Sequence, residues 1–260
     1  MAPGGFSAAA LALNPAAQLR GITLPPDNGG HDLLLPVDGD GVQVEYTDIT
    51  LLAGVMGVSR DEIAASHPDA ANFRYDNPFS DLRFDLVFCD GQVLRTHEVH
   101  RYAYREKCEA TRLLTSQLVL AFGRIREGGT LVVLLHRVDM FATAQLLYMV
   151  SRVADVRLFK SRKAWKMRGA FYLVAENVRP GCAEAVEMVE RWKALWRRAT
   201  FGVSGWDDKD GEERWWLDFG VEELLADFGE TLVRLARPMW RTQAAALRKA
   251  PWNRSRRHWG

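Results

Sequence analysis

Short apolar runs and helix-spaced apolar positions follow one another along the first 178 residues. Residues 6–13 are dominated by Ala and Leu and stop before Pro15, which predicts a short helix opened by a glycine turn. Apolar residues over 17–24 and the alternation Val42, Gln43, Val44, Glu45, Tyr46 predict two strands, separated by a Gly- and Asp-rich surface loop over 27–41. Ser59 followed by Glu62 makes a capping-box pattern, so a short helix is expected over 60–66, ended by Pro68. Residues 84–89 read as a compact apolar strand closed by the turn signal of Asp90 and Gly91. Leu113, Leu114, Leu118 and Ala121 fall on helical spacing within 100–123, and Gly128 with Gly129 leads into a strand over 130–135. A helix over 141–152 comes next, then strands over 156–159 and 170–175 joined by the basic stretch 160–168.

This alternation predicts an α/β fold with a doubly wound, mostly parallel sheet, because a parallel connection needs a crossover long enough to hold a helix. Ligands of such sheets bind outside the carboxyl ends of the strands. After Pro180 the pattern turns helical: Ala185, Val189, Trp192 and Trp196 lie near helical spacing, and 221–236 and 242–249 read as further helices. The expected organisation is a domain over 1–178 followed by a helical, Trp-rich, basic C-terminal extension over 179–260. Trp192, Trp196, Trp215 and Trp216 are expected to pack helices onto the domain.

Composition narrows the picture. With 260 residues, 48% apolar and 26% charged, the chain is neither collagen-like, nor coiled coil, nor wholly disordered. No apolar run approaches the roughly 20 residues of a membrane-spanning helix, so no membrane partner is expected. Cys89, Cys108 and Cys182 fit neither a disulfide framework nor a set of zinc ligands, so no metal is expected and a reducing compartment is the simplest setting. The first residues lack the pattern of a secretory leader, which places the expected location inside the cell, in cytoplasm or nucleus.

The net charge of +1 hides a gradient. Residues 151–260 hold 22 Lys and Arg against 15 Asp and Glu, whereas residues 1–150 hold 12 against 18. A basic second half points to a polyanion such as RNA as partner. At the end of the chain Arg254, Arg256 and Arg257 are interleaved with Trp252, His258 and Trp259, a mixture suited to phosphate attraction and base stacking.

Three places carry candidate chemistry. Ala2, Pro3, Gly4, Gly5, Phe6 and Ser7 form a glycine turn running straight into a helix, which lets a ligand approach the backbone and offers N–H groups at the helix start. Asp48 ends the segment after the strand at 42–46, where a carboxylate either accepts from an amine or ribose hydroxyl or caps the next turn. Asp90 follows the strand at 84–89, on the side of the sheet where ligands bind.

Taken with Ile49, the run Phe84 to Gly91 and Gly128, Gly129 and Thr130 entering a strand, these residues resemble the FtsJ-like ribose 2′-O-methyltransferases of RNA. The resemblance covers about 1–178, including Phe171 to Ala175 as the closing strand. It implies a Rossmann-like methyltransferase sheet and S-adenosylmethionine as cofactor. Gly4, Gly5 and Phe6 would hold the methionine end, Asp48 and Ile49 the adenine, and Asp90 would lie beside the methyl donor.

The sequence also departs from that family. The family's first strand and an upstream catalytic lysine precede the glycine turn, and neither is found in this sequence, so a sheet without its first strand is expected. The strand lysine falls on Leu134, the glutamate of the closing strand on Ala170, and the acid that binds the cofactor ribose on Thr23. His136 lies two residues beyond Leu134, on the same face of a strand, where its ring is either the candidate substitute base or a hydrogen-bonded residue of the strand end. Two functions follow: a methyltransferase directed at RNA ribose hydroxyls, or an inactive methyltransferase-like module that binds RNA or a protein. A methyltransferase with another acceptor is a third reading, since fold alone does not fix chemistry.

Overall fold

In the computed structural model, which describes residues 2–35, 41–94, 102–202 and 220–254, the strands fall close to where the apolar runs place them. The order is α1 (Gly5–Leu13), β1 (Leu19–Thr23), β2 (Val42–Tyr46), β3 (Phe84–Cys89), α2 (Glu109–Phe122), β4 (Ile125–His136), α3 (Phe141–Ser151), β5 (Asp155–Phe159), β6 (Ala170–Val178), α4 (Ala183–Phe201), α5 (Val221–Arg248) and α6 (Pro251–Arg254). This is a mixed α/β fold with C-terminal helices. The expected single sheet is divided: β1 and β2 form a two-stranded parallel sheet, and β3, β4, β6 and β5 form a separate sheet in that order. β3 is parallel to β4, while β6 is antiparallel to both β4 and β5. A strand enters a sheet only through a neighbour's hydrogen-bond ladder, and no described strand pairs with both β1 and β3.

The chain clusters into two units. The first comprises Met1–Arg83, Asp90–Arg124 and Val189–Ser204; the second comprises Phe84–Cys89, Ile125–Met188 and Gly205–Gly260.

In the first unit Leu52, Met56, Phe73, Leu118 and Phe122 are buried with the indoles of Trp192 and Trp196. The Trp192 ring meets Phe122 edge-on at 5.0 Å, and Trp196 meets Phe73 and Phe201. The packing role expected of these two residues is therefore met, while Trp215 and Trp216 lie outside the described residues. Trp196 Nε1 also donates to the Thr50 carbonyl at 3.1 Å, which satisfies the one polar atom of the ring.

Beside these rings lies a buried ionic network. Arg105 donates to Glu109 Oε1 at 2.6 Å, to Asp48 Oδ2 at 2.7 Å and to Thr50 Oγ1 at 2.5 Å. Its guanidinium is 3.7 Å from Asp69, whose carboxylate accepts from the Tyr104 hydroxyl at 2.6 Å. Arg112, fully buried, donates to the Thr50 carbonyl at 3.1 Å. Burial alone would lower the Arg105 pKa, but the Glu109 and Asp48 carboxylates raise it above the ordinary value.

In the second unit the alternation of β4 buries Leu131, Val133 and Leu135, and β6 buries Phe171, Leu173 and Ala175. α3 and α5 contact each other and both contact β5. α5 buries Leu224, Phe228, Leu232, Ala236, Met239 and Ala246.

Three elements differ from expectation. Residues 60–66 make only a single 3₁₀ turn, Arg60–Glu62, with Ile63 already extended; so short a segment with so little apolar surface has no helix stability of its own. The capping pair itself forms, Ser59 N and Oγ donating to Glu62 Oε2 at 2.7 and 2.8 Å. The helix expected from residue 100 begins at Glu109, after a 3₁₀ turn at Ala103–Arg105. The two helices expected at 221–236 and 242–249 are one, because the buried stripe continues on both sides of Pro238 and outweighs the hydrogen bond that the proline removes.

Replacing Arg105 with Met should lower unfolding stability by about 3–5 kcal/mol, since it leaves Asp48 without its cation and Glu109 with only the 3.4 Å contact to Arg112. Urea denaturation followed by Trp fluorescence measures this, and a loss below about 1 kcal/mol would mean that the network is dispensable.

Candidate functional site

Gly4 takes the left-handed conformation (φ 103, ψ 16) and is the N-cap of α1. Its carbonyl accepts from Ala8 N at 2.8 Å, starting the helix. A side chain there would be strained by its φ and would also collide with Leu35, whose Cδ1 and Cγ lie 2.8 Å from the position of a Cβ. At Gly5, by contrast, a Cβ would meet nothing within 4 Å, so the backbone is open on that side. α1 carries no capping side chain.

The turn is tied to the carboxyl ends of the parallel pair. Ala2 N donates to Thr23 Oγ1 at 3.3 Å, and Thr23, the last residue of β1, accepts through its carbonyl from Thr47 N at 2.9 Å. Asp48 follows directly. Gly4, Thr23 and Asp48 with Ile49 are thus gathered at one end of β1 and β2, although 44 positions separate Gly4 from Asp48. Phe6, 38% exposed, lies in the first turn of α1.

Asp48 is the N-cap of the 3₁₀ turn Ile49–Leu51, its Oδ1 accepting from Thr50 N at 2.9 Å and Thr50 Oγ1 at 2.7 Å. Its Oδ2 accepts from Arg105 at 2.7 Å. Burial would raise its pKa, but the Arg105 charge and hydrogen bond, with those from Thr50, hold it below the usual carboxylate value. An ionised carboxylate has about four acceptor positions, so three bonds leave capacity for one further donor. Ionised, Asp48 is acceptor-only, which suits an amine and rejects another acceptor.

Asp90 is exposed at the end of β3. The backbone just beyond it is clamped: Gly91 N donates to Gln117 Oε1 at 2.7 Å and the Gly91 carbonyl accepts from Gln117 Nε2 at 3.2 Å. Gln117 is a polar residue on the buried part of α2.

His136 belongs to the second unit, at the end of β4, where its Cα pairs with Ala170. Leu134 pairs with Tyr172. The positive charge near Ala170 comes from Lys160. Its Nζ donates to the carbonyls of Ala170 and Arg168 at 2.6 and 2.5 Å, and the residue is 8% exposed. Burial, and then the Lys160 charge, lower the His136 pKa.

Sequence reasoning missed Arg105, Gln117 and Lys160. The first two had a usable signal, a polar or charged group beside or within an apolar helical stretch; Lys160 was submerged in a run of basic residues. Among the described residues no group of three His, Cys, Asp or Glu side chains is placed to hold a metal ion, and no helix is long and apolar enough to cross a membrane. Residues 256–259 of the basic terminus, Arg256, Arg257, His258 and Trp259, lie outside the described residues.

Residues 1–177 match the family described as FtsJ-like methyltransferase. No curated protein matches the chain.

Because the folded chain binds the His136 proton more weakly than the unfolded chain, stability from the neutral ring is present above pH 6.5 and is lost as pH falls through the lowered folded value. The ring should therefore titrate with a midpoint below 6.5 in a proton NMR titration. A midpoint at or above that value would contradict the influence of burial and Lys160, and His136→Gln assigns the resonance.

Proposed function

We propose that this chain, which belongs to the FtsJ-like methyltransferase family, binds S-adenosylmethionine and transfers its methyl group to ribose 2′-hydroxyls of RNA. The observation that carries the reading is the gathering of the Gly4 turn, Thr23 and Asp48 at the carboxyl ends of the parallel pair β1 and β2. Ligands of parallel α/β sheets bind at such ends. The methyltransferase domain is taken as residues 1–178 and the helical extension as 179–260.

The residues present fit the adenosyl group. Asp48, kept ionised by Arg105, has an acceptor position left for an exocyclic amine. Half-buried Ile49 offers an apolar surface beside it. Thr23 supplies a hydroxyl where the family has an acid. The open backbone at Gly5 and the exposed ring of Phe6 lie at the start of α1 for the methionine end. S-adenosylmethionine, when bound, supplies an electrophilic methyl group.

What falls to the protein is to hold the ribose hydroxyl in line and to take its proton. Asp90, exposed on a clamped backbone, orients the acceptor. The candidate base offered by the sequence, His136, belongs to the second unit, where burial and the Lys160 charge favour its neutral ring. Lys160 cannot replace the family's strand lysine without releasing two carbonyls.

A second reading is favoured by Leu134 and Ala170: neither side chain can hold or move a proton, and the chain would then be an inactive module that binds RNA. Incubation with methyl-tritiated S-adenosylmethionine and either an RNA or the same sequence in 2′-deoxy form separates the two. Transfer to RNA alone is expected, reduced by about 10²-fold or more in Asp90→Asn. RNA retained on a filter with no label transferred would favour the inactive module.

A further inference from the structure

In the second unit a cleft of about 260 Å³ opens where the end of β4, the base of the 160–169 loop and α5 meet. Arg137, Lys160, Gly169, Phe171, Trp240 and Gln243 line it. α5 lies beyond residue 177, so one wall of the cleft comes from outside the part of the chain that matches the family. The floor is fixed by backbone: Arg137, in the left-handed region at φ 50, donates its N–H to the Gly169 carbonyl at 3.1 Å. A Cβ at Gly169 would lie 3.3 Å from Arg137 Cγ, so a side chain there would crowd the arginine.

Lys160 is the unusual group. It is 8% exposed, two of its three ammonium donors are used on carbonyls, and no described carboxylate forms an ion pair with it. Burying a cation without a counter-ion is costly, and burial accordingly lowers the Lys160 pKa. An anion entering the cleft would supply the missing charge and take the third donor. The one carboxylate lining the cleft, Asp139, is already paired with Arg137 at 2.8 Å.

The surroundings say which kind of anion. Arg162, Lys163, Lys166 and Arg168 follow Lys160 in a loop without an acidic residue, giving a positive field at the mouth. Trp240, 41% exposed, and the amide of Gln243 add a flat aromatic surface and a donor and acceptor pair. Phosphate alone needs neither; a nucleotide uses both, the base stacking on the ring.

We propose that this cleft is a single-nucleotide subsite for single-stranded RNA, with Lys160 on a phosphate and Trp240 against the adjoining base. It rests on the reading above only in taking RNA as the ligand.

Fluorescence anisotropy of the full chain with a fluorescein-labelled oligouridylate of about ten nucleotides tests this. Trp240→Ala should weaken binding about tenfold, and Trp240→Phe by less than about threefold, because stacking needs a ring rather than an indole. Lys160→Met should weaken binding about tenfold and make the slope of log affinity against log salt shallower by about 0.7, the loss of one phosphate contact. Since Lys160 also holds the loop base, the exposed Trp240 variant decides the case, with its fold checked by circular dichroism. Affinity of Trp240→Ala within about twofold of the unsubstituted chain would overturn the proposal, as would displacement of the oligomer by phosphatidylserine vesicles acting through Trp240. A chain that binds oligouridylate through Trp240 yet transfers no methyl keeps the cleft and loses the enzyme. Unchanged affinity of that variant in a chain that methylates RNA does the reverse.

Discussion

The Arg105 guanidinium is the constraint around which the first unit is organised. It reaches Asp48 after β2, Thr50 in the next turn, Glu109 at the start of α2 and approaches Asp69, while itself only 4% exposed. Buried ion pairs add little net stability compared with well-packed apolar groups, but they are costly to break singly. Their effect is therefore to fix one arrangement. Here the arrangement fixed is the path of the chain just beyond the parallel strands, and with it the ionisation of Asp48. The same cation that locks the loop keeps an acceptor-only carboxylate beside the glycine turn. Structure and candidate site share one electrostatic cause.

Local signals made much of the fold legible. The alternation of Val42–Tyr46 and the apolar run Phe84–Cys89 mark strands that begin and end as the pattern implies. The Gly4 turn was readable because only glycine suits φ 103 under Leu35. What was not legible depended on partners distant in sequence. Nothing near Arg105 announces Asp48, 57 residues away. β4 runs on at its start through Arg126 to Gly129, where Arg126 pairs with Asp85 of the neighbouring strand. α5 passes through Pro238 because tertiary burial outweighs local propensity. The division into two sheets is likewise a matter of which ladders close, and apolar pattern alone does not specify pairing.

Departures from the family pattern fall in both units, at Thr23 in the first and at Leu134 and Ala170 in the second. Leu134 and Ala170 remove a cation and a carboxylate from β4 and β6, and the charge found near them sits instead on Lys160, at the end of β5. That lysine is engaged with backbone carbonyls, so it is a staple for the loop and a latent anion partner rather than a like-for-like replacement. His136, opposite Ala170 in register, is left as the titratable group at the end of β4.

The central claim is that the residues gathered at the ends of β1 and β2 form an adenosyl pocket. Calorimetric titration of the full chain with S-adenosylhomocysteine, repeated on Gly4→Val, tests it most directly. The account predicts saturable binding by the unsubstituted chain, with a matching rise in its melting temperature, and loss of both in the glycine variant. Absence of heat and of any melting shift in the unsubstituted, folded chain would contradict it.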